Sequence, residues 1–114
     1  MQTIFHDCAK ITFTDHPRFA NVKLAVLVSQ TDTDAVSVSQ LLIAPATEIP
    51  IHTHEPQTDS IFVMAGSGQA YVNGEWRPIA PGDYIFVPAT VEHGIRNTGP
   101  TTLKLFIHHS PPLL

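Results

Sequence analysis

Ala70-Tyr71-Val72-Asn73-Gly74-Glu75-Trp76-Arg77 is the stretch that decides the fold. Two β-prone runs flank Asn-Gly, the dipeptide best able to adopt the two consecutive positive φ angles of a type I′ turn. A hairpin is therefore expected here, and the same punctuation recurs on both sides. Upstream, Ile61-Phe62-Val63-Met64 stops at Gly66-Ser67-Gly68. Downstream, Pro81-Gly82 fits a type II turn, with Pro fixing the first φ and Gly taking the positive one that follows. Tyr84 to Val87 comes next, and Leu103 to His108 closes the set. Nearer the N-terminus, Lys23 to Ser29 and Val36 to Ala44 flank the polar stretch Gln30 to Asp34, which suits a loop between paired strands. Short Val/Ile/Phe/Thr-rich segments at roughly ten-residue spacing are the pattern of an antiparallel all-β sandwich or barrel.

A long helix fits nowhere. Apolar positions at helical spacing meet a Pro or Gly before three turns accumulate, and Phe19 to Val28 is richer in Val than in good helix formers. Alternation is clean at the C-terminal end, where Leu103, Leu105 and Ile107 share a face and His108 shares the other with Lys104 and Phe106. It fails in Leu41-Leu42-Ile43 and in Ile61 to Met64. Continuous apolar runs imply that both faces are covered, here by the interior and by a further layer such as a second subunit.

The chain has 114 residues, enough for one domain of ~100–150 residues with a core of its own. Six Lys+Arg against ten Asp+Glu give a net charge of −4. That balance excludes a basic face that neutralises phosphates, so no nucleic-acid partner is expected, and no polybasic segment favours a membrane surface. No apolar run approaches the ~20 residues of a membrane span, and Met1 to Asp7 lacks the features of a signal peptide. Cys8 is the single cysteine, which excludes an internal disulfide and a thiolate zinc cluster. A cytoplasmic protein is the expectation.

Seven histidines exceed Lys and Arg together. The informative ones are His52-Thr53-His54, followed by Asp59, and His93 within Pro88-Ala89-Thr90-Val91-Glu92-His93-Gly94. Residues two apart on a strand project to one face, so both imidazoles of His52 and His54 can converge on a point. If the two runs around residues 53–58 pair antiparallel, Asp59 lies beside them. Imidazoles with a carboxylate suit Fe, Mn, Ni, Zn or Cu and leave positions open for water or substrate. By themselves His-x-His and a downstream acid are also compatible with an ordinary polar strand edge. His6, His16, His108 and His109 read as ordinary: the first two lie in a polar stretch, and the last two, being adjacent, cannot both enter one site.

His52, His54, Asp59 and then Gly66 resemble the first motif of the cupin superfamily, with Asp59 where Glu is usual. Gly82, Pro88, His93 and Asn97 resemble the second, and the interval between Gly66 and Gly82 is that of small microbial cupins. The resemblance implies a single RmlC-like domain over residues 1–110, an antiparallel double-stranded β-helix or jelly-roll barrel. Its motifs would lie at residues 46–68 and 82–97, with 111–114 as a C-terminal tail. It implies a divalent transition metal held by His52, His54, Asp59 and His93, and a homodimer. Asp59 is one methylene shorter than Glu, so it either binds the metal, contacts it through water or orients an imidazole. Gln57 is an alternative donor in the same loop. Thr90 replaces a usual Gly, which alters a turn.

Strand parity places Ile61 and Val63 inward with Asp59, and Ile95 and Asn97 inward with His93. The expected pocket is a metal at one end of an apolar interior, suited to a small organic molecule with one chelating group. Gln40 and Asn97 are candidate hydrogen-bonding groups, Asn97 equally a turn cap, and Arg96 points outward. Glu55 and Glu92 adjoin the ligands but are directed away from the metal. The expected function is a metal-dependent enzyme, for which the resemblance implies dioxygenase, isomerase or lyase chemistry. The alternatives are a non-catalytic ligand-binding or sensing module and an interaction domain with a vestigial site.

Overall fold

The computed structural model describes residues 1–114 and is all-β. Ten strands follow in order: β1 (Thr14–Asp15), β2 (Val22–Val28), β3 (Ser37–Ile43), β4 (Thr47–His52), β5 (Thr58–Ala65), β6 (Gly68–Val72), β7 (Glu75–Ile79), β8 (Tyr84–Val87), β9 (His93–Asn97) and β10 (Leu103–Ser110). The Asn73-Gly74 hairpin forms as expected, joining β6 to β7 with φ of 52° and 86° at the two turn residues. Gly66 also has positive φ, and a Cβ there would lie 2.4 Å from the Thr102 carbonyl oxygen, so only Gly fits. With no helix, nothing in the fold is a helix long and apolar enough to cross a membrane.

The strands form two antiparallel sheets, ordered β1-β2-β3-β10-β5-β8 and β4-β9-β6-β7. The expected double-stranded β-helix or jelly roll is borne out as two facing sheets, and the hydrogen bonding does not run on from one sheet to the other to close a barrel. The reason is local to the His motif: β4 pairs only with β9, and β5 pairs with β10 and β8. The connection between them, residues 53–57, crosses from the small sheet to the large one. The expectation that the runs around it pair with each other is therefore corrected. Asp59 faces His52 across the interior rather than beside it on one sheet.

The core fills the space between the sheets. Val22, Leu24, Leu41, Ile43, Ile61, Val63, Leu103, Leu105 and Ile107 of the large sheet pack against Ile49, Ala70, Ile79 and Ile95 of the small one. Fully burying such a side chain contributes ~1.5–3 kcal/mol, which makes this cluster the main source of stability. Parity holds for Ile61, Val63, Ile95 and Asn97, all buried. On the outer face of the large sheet the apolar runs have no cover within the single chain. There Phe62 and Met64 are 43% and 40% exposed within the single chain.

Residues 111–114 form no strand, but they do not hang free. The Leu113 and Leu114 amides donate to Ser37 Oγ, the Gln30 amide donates to the Leu114 carbonyl, and Leu114 packs on the core. The end of the chain is thereby drawn over one mouth of the interior.

Candidate metal centre

His52 ends β4, His54 lies two residues on in the crossing loop, and His93 opens β9 opposite His52 in the antiparallel register. The three rings gather with centroids 4.3 to 5.1 Å apart. Two of the rings are pinned from behind. His52 Nδ1 donates to the Pro50 carbonyl at 2.7 Å, and His93 Nδ1 donates to the Val91 carbonyl at 3.0 Å. A carbonyl only accepts, so each Nδ1 carries a proton, and the inward-facing Nε2 is the atom left to bind a metal when the ring is neutral. His54 Nε2 lies 3.2 Å from His52 Nε2. The Thr90 amide donates to the His54 carbonyl at 2.7 Å, and this bond fixes the loop that carries His54.

Asp59 stands on β5, 4% exposed, against this group. Its Oδ2 is 3.2 Å from His93 Nε2, 3.4 Å from His109 Nε2 and 3.8 Å from His54 Nε2. Two sets of donor atoms lie close enough together to share an ion: His52 with His54 and His93, and His54 with Asp59 and His109. His93 Nε2, Asp59 Oδ1 and His109 Nδ1 are buried and have no hydrogen-bond partner. An unpaired buried polar atom costs ~1–3 kcal/mol, so these orphans mark a place where the protein alone is incomplete. Three neutral imidazoles and a carboxylate are a donor set that fits a divalent transition metal.

The electrostatics agree with that chemistry. Burial, then the neighbouring His52, push His54 down to about 4. Burial also holds His52 below the usual histidine value, with smaller contributions from His93 and Arg18 in the same direction. Both rings are thus neutral near pH 7, as a metal ligand must be. Burial lowers His93 too, but Asp59 and the Val91 carbonyl outweigh it and the net shift is upward. Burial alone would raise Asp59; His109 and His93 reverse this and bring it down to about 2. Asp59 is therefore the fixed negative charge of the site.

The group stands at one end of a cavity of about 320 Å³. Its walls include Leu24, Leu41, Ile49, Ile61, Ile95 and Leu105, and its mouth is formed by His16, Pro17, Arg18 and Phe19 with Leu113 and Leu114. Two histidines expected to be ordinary thus belong to the cavity: His16 lines it, and His109 is 7% exposed beside Asp59. His109 continues the inward parity of Leu103, Leu105 and Ile107, a signal available in the sequence. His108 faces outward against Phe106, and His6 bonds the Leu27 carbonyl. Gln57 donates to the Pro112 carbonyl, and Gln40 lies on the opposite face of β3 from the cavity, in register with Ala25 and Phe106. Asn97 is a cap: its amide bonds the Ile43 and Thr101 carbonyls and accepts from the Gly99 amide. Arg96 points outward over Trp76, and Glu55 and Glu92 are exposed.

Residues 40–109 match the model of the cupin domain family. The chain belongs to that family, and the match takes in all four candidate ligands. An oxalate-binding protein from Thermotoga maritima is 30% identical over 66 residues, covering 58% of this chain and 54% of that protein. The chain therefore matches little more than half of that relative's length. Among solved structures, a predicted oxalate decarboxylase from Thermotoga maritima superposes with a TM-score of 0.82 at 23% identity, covering 96% of this chain and 99% of the other. The polyketide cyclase RemF from Streptomyces resistomycificus superposes with a TM-score of 0.79 at 19% identity, covering 100% and 87%. These likenesses establish the fold.

Proposed function

We propose that this chain is a small cupin that holds a divalent transition metal at His52, His54 and His93, with Asp59 beside it, and acts on a small organic molecule in the cavity. The observation that carries this is the pair of pinned rings, His52 and His93, whose inward-facing Nε2 atoms meet His54 beside an apolar pocket. A metal there would polarise a chelated oxygen or, if redox-active, engage O₂, which is the chemistry of oxygenases, isomerases and lyases. The chain's own residues do the rest. The two backbone carbonyls fix the tautomers, Asp59 supplies charge at the rear of the group, and the apolar walls exclude water from the bound molecule. His54 Nε2 must release its proton to Nδ1 to serve as a ligand, because His52 Nε2 has no hydrogen to share with it.

The test is to purify the protein without chelator, reconstitute it with Fe, Mn, Ni, Zn and Cu in turn, and measure bound metal by elemental analysis. One equivalent is expected, and His52→Ala and His93→Ala each reduce it to near zero. Undiminished metal in both variants overturns the assignment. Oxygen consumption and product analysis with small phenols, diketones and short acids then separate catalysis from binding.

A second reading is favoured by one observation. Asp59 and the histidines are the only carboxylate and imidazole side chains lining the cavity, and Asp59 is held ionised. A non-catalytic module that captures a small molecule on the metal needs nothing more, and the relative described as an oxalate-binding protein is consistent with it. We further infer a homodimer covering the exposed apolar face of the large sheet. A cytoplasmic setting is supported by the exposed lone Cys8, a thiol suited to a reducing compartment.

A further inference from the structure

We propose that Arg18 is the anion anchor of the cavity and that the molecule bound there is a small carboxylate, one end directed to the metal and the other to the guanidinium. This rests on the metal reading above. Arg18 is the single Lys or Arg side chain lining the cavity, and Asp59 is the single Asp or Glu side chain. With a divalent cation at the histidines the interior carries a net positive charge, in a chain whose overall charge is −4. Low-dielectric walls focus such a field on an entering anion.

Arg18 is uncommitted within the protein. It takes part in none of the ion pairs, which join Lys10 to Asp7, Arg96 to Glu48, and Asp59 to the histidines; even the neighbouring Asp15 does not pair with it. Its guanidinium makes no hydrogen bond, whereas Arg96 donates to Gln69, reaches Glu48 and covers the Trp76 ring. Five N–H donors in a planar fork are therefore free at the mouth, the geometry that matches a carboxylate.

The loop holding Arg18 is closed at both ends. The His16 amide donates to the Val22 carbonyl, and the Ala44 amide donates to the Asn21 carbonyl. Within it the Arg18 amide donates to His16 Nδ1 at 3.1 Å, the His16 ring lies 4.7 Å from that of Phe19, and Phe19 packs on the core. Arg18 itself is exposed, so the anchor is flexible in its side chain and fixed in its backbone. Leu24, Leu41, Ile49, Ile61, Ile95 and Leu105 line the same cavity, which suits a short hydrocarbon spacer.

The experiment uses zinc-loaded protein titrated calorimetrically with succinate and with its monoamide, succinamate, at low ionic strength. Wild type is expected to bind succinate about tenfold or more tightly than the monoamide, the scale of one charge-assisted pair. Arg18→Gln should bind the two probes alike, with unchanged zinc content and melting temperature, and Arg18→Lys should fall between because it keeps charge without the fork. Raising the salt should shrink the wild-type preference. A preference preserved in Arg18→Gln, or absent in wild type, overturns the assignment. If wild type takes up no zinc, the metal reading fails on its own, and the same comparison in metal-free protein still decides the role of Arg18.

Discussion

His109 and Asp59 stand opposite each other on β10 and β5, and their side chains meet at 3.4 Å between His109 Nε2 and Asp59 Oδ2. The same Oδ2 is 3.2 Å from His93 Nε2, so one carboxylate connects a histidine of the first donor set to a histidine outside it. His109 thereby holds Asp59 in place from the far side. His109→Gln should keep one equivalent of metal but weaken its affinity ~10-fold, the lower end of what loss of an orienting partner costs. Competition with a calibrated chelator measures this. Unchanged affinity would deny His109 any part in the site, and complete loss of metal would make it an obligatory ligand.

Asp59→Asn tests the carboxylate itself with the least change of shape. With the charge gone, His93 loses the largest influence raising its pKa, and burial then draws it below the usual value. Metal affinity should fall further than in His109→Gln and less than in His93→Ala. NMR titration of the His93 ring in metal-free protein should show its pKa lowered by the substitution. A pKa that stays raised in Asp59→Asn would refute the assignment of that shift to Asp59.

After chelation of any metal, the stability of the protein should decrease as pH falls from 6.5 toward 4. His54 has a folded pKa of about 4 against 6.5, so its contribution is complete above pH 6.5 and is lost progressively down to about 4, where the unfolded chain binds the extra proton. His52 is lowered as well and acts in the same sense. His93 is raised, so its contribution is already complete below 6.5 and is lost only as pH rises through its folded pKa, outside this window. Asp59 adds a further loss only below 3.8, as pH falls toward about 2. Urea melts at half-unit pH steps check this, and stability flat from pH 6.5 to 4.5 would contradict it.

Most strands are legible in the sequence because their cues are local. Asn73-Gly74 adopts the two positive φ values that its residue types favour, and Leu103, Leu105 and Ile107 turn inward by simple alternation. The three histidines proposed as ligands are legible in His-x-His and in the resemblance of the segment around His93 to the second cupin motif. The partner of β4 is not local information. Strand β4 pairs with β9, more than forty residues away in the chain, and the crossing loop 53–57 carries no cue that distinguishes it from a hairpin. His109 is legible by extending the alternation one step past Ile107; adjacency to His108 obscures it, although only one of two neighbouring residues can face inward. Arg18 and His16 lie on an irregular loop with no period to read. Their place at the cavity mouth is set by a hydrogen bond to Val22, which extends the β1–β2 pairing, and by one from Ala44 to Asn21, which follows the pairing of β2 with β3.

Thr90 has φ of 69°, a left-handed conformation that a β-branched residue adopts at a cost. Its amide bonds the His54 carbonyl, so the strain is held beside the site. Glycine relieves the strain but loses more entropy on folding, and the two effects oppose each other. The balance favours Gly, and Thr90→Gly should stabilise the protein by about 1 kcal/mol. The amide is retained, so metal content should be unchanged. A lower melting temperature for Thr90→Gly would show that the Thr side chain makes a compensating contribution.

Phe62 and Tyr84 are directly opposite each other on β5 and β8, with Phe106 beside Phe62 on β10, and all three lie on the outer face of the large sheet. Phe86 is two residues along β8 from Tyr84 and 55% exposed, and Tyr84 is 60% exposed. Strand β8 is also the edge of its sheet, with a row of backbone groups unpaired on one side. A monomer rarely leaves a contiguous apolar patch of this kind in water, and an open edge invites a further strand. The second copy expected from the sequence therefore fits this face. Light scattering behind a sizing column should give twice the 12.5 kDa of one chain at micromolar concentration. Phe62→Ser combined with Phe86→Ser should shift the protein to a monomer that still binds metal, because neither side chain lines the cavity. A wild-type monomer would leave the patch without a copy to cover it, and a double variant that remains dimeric would move the interface elsewhere.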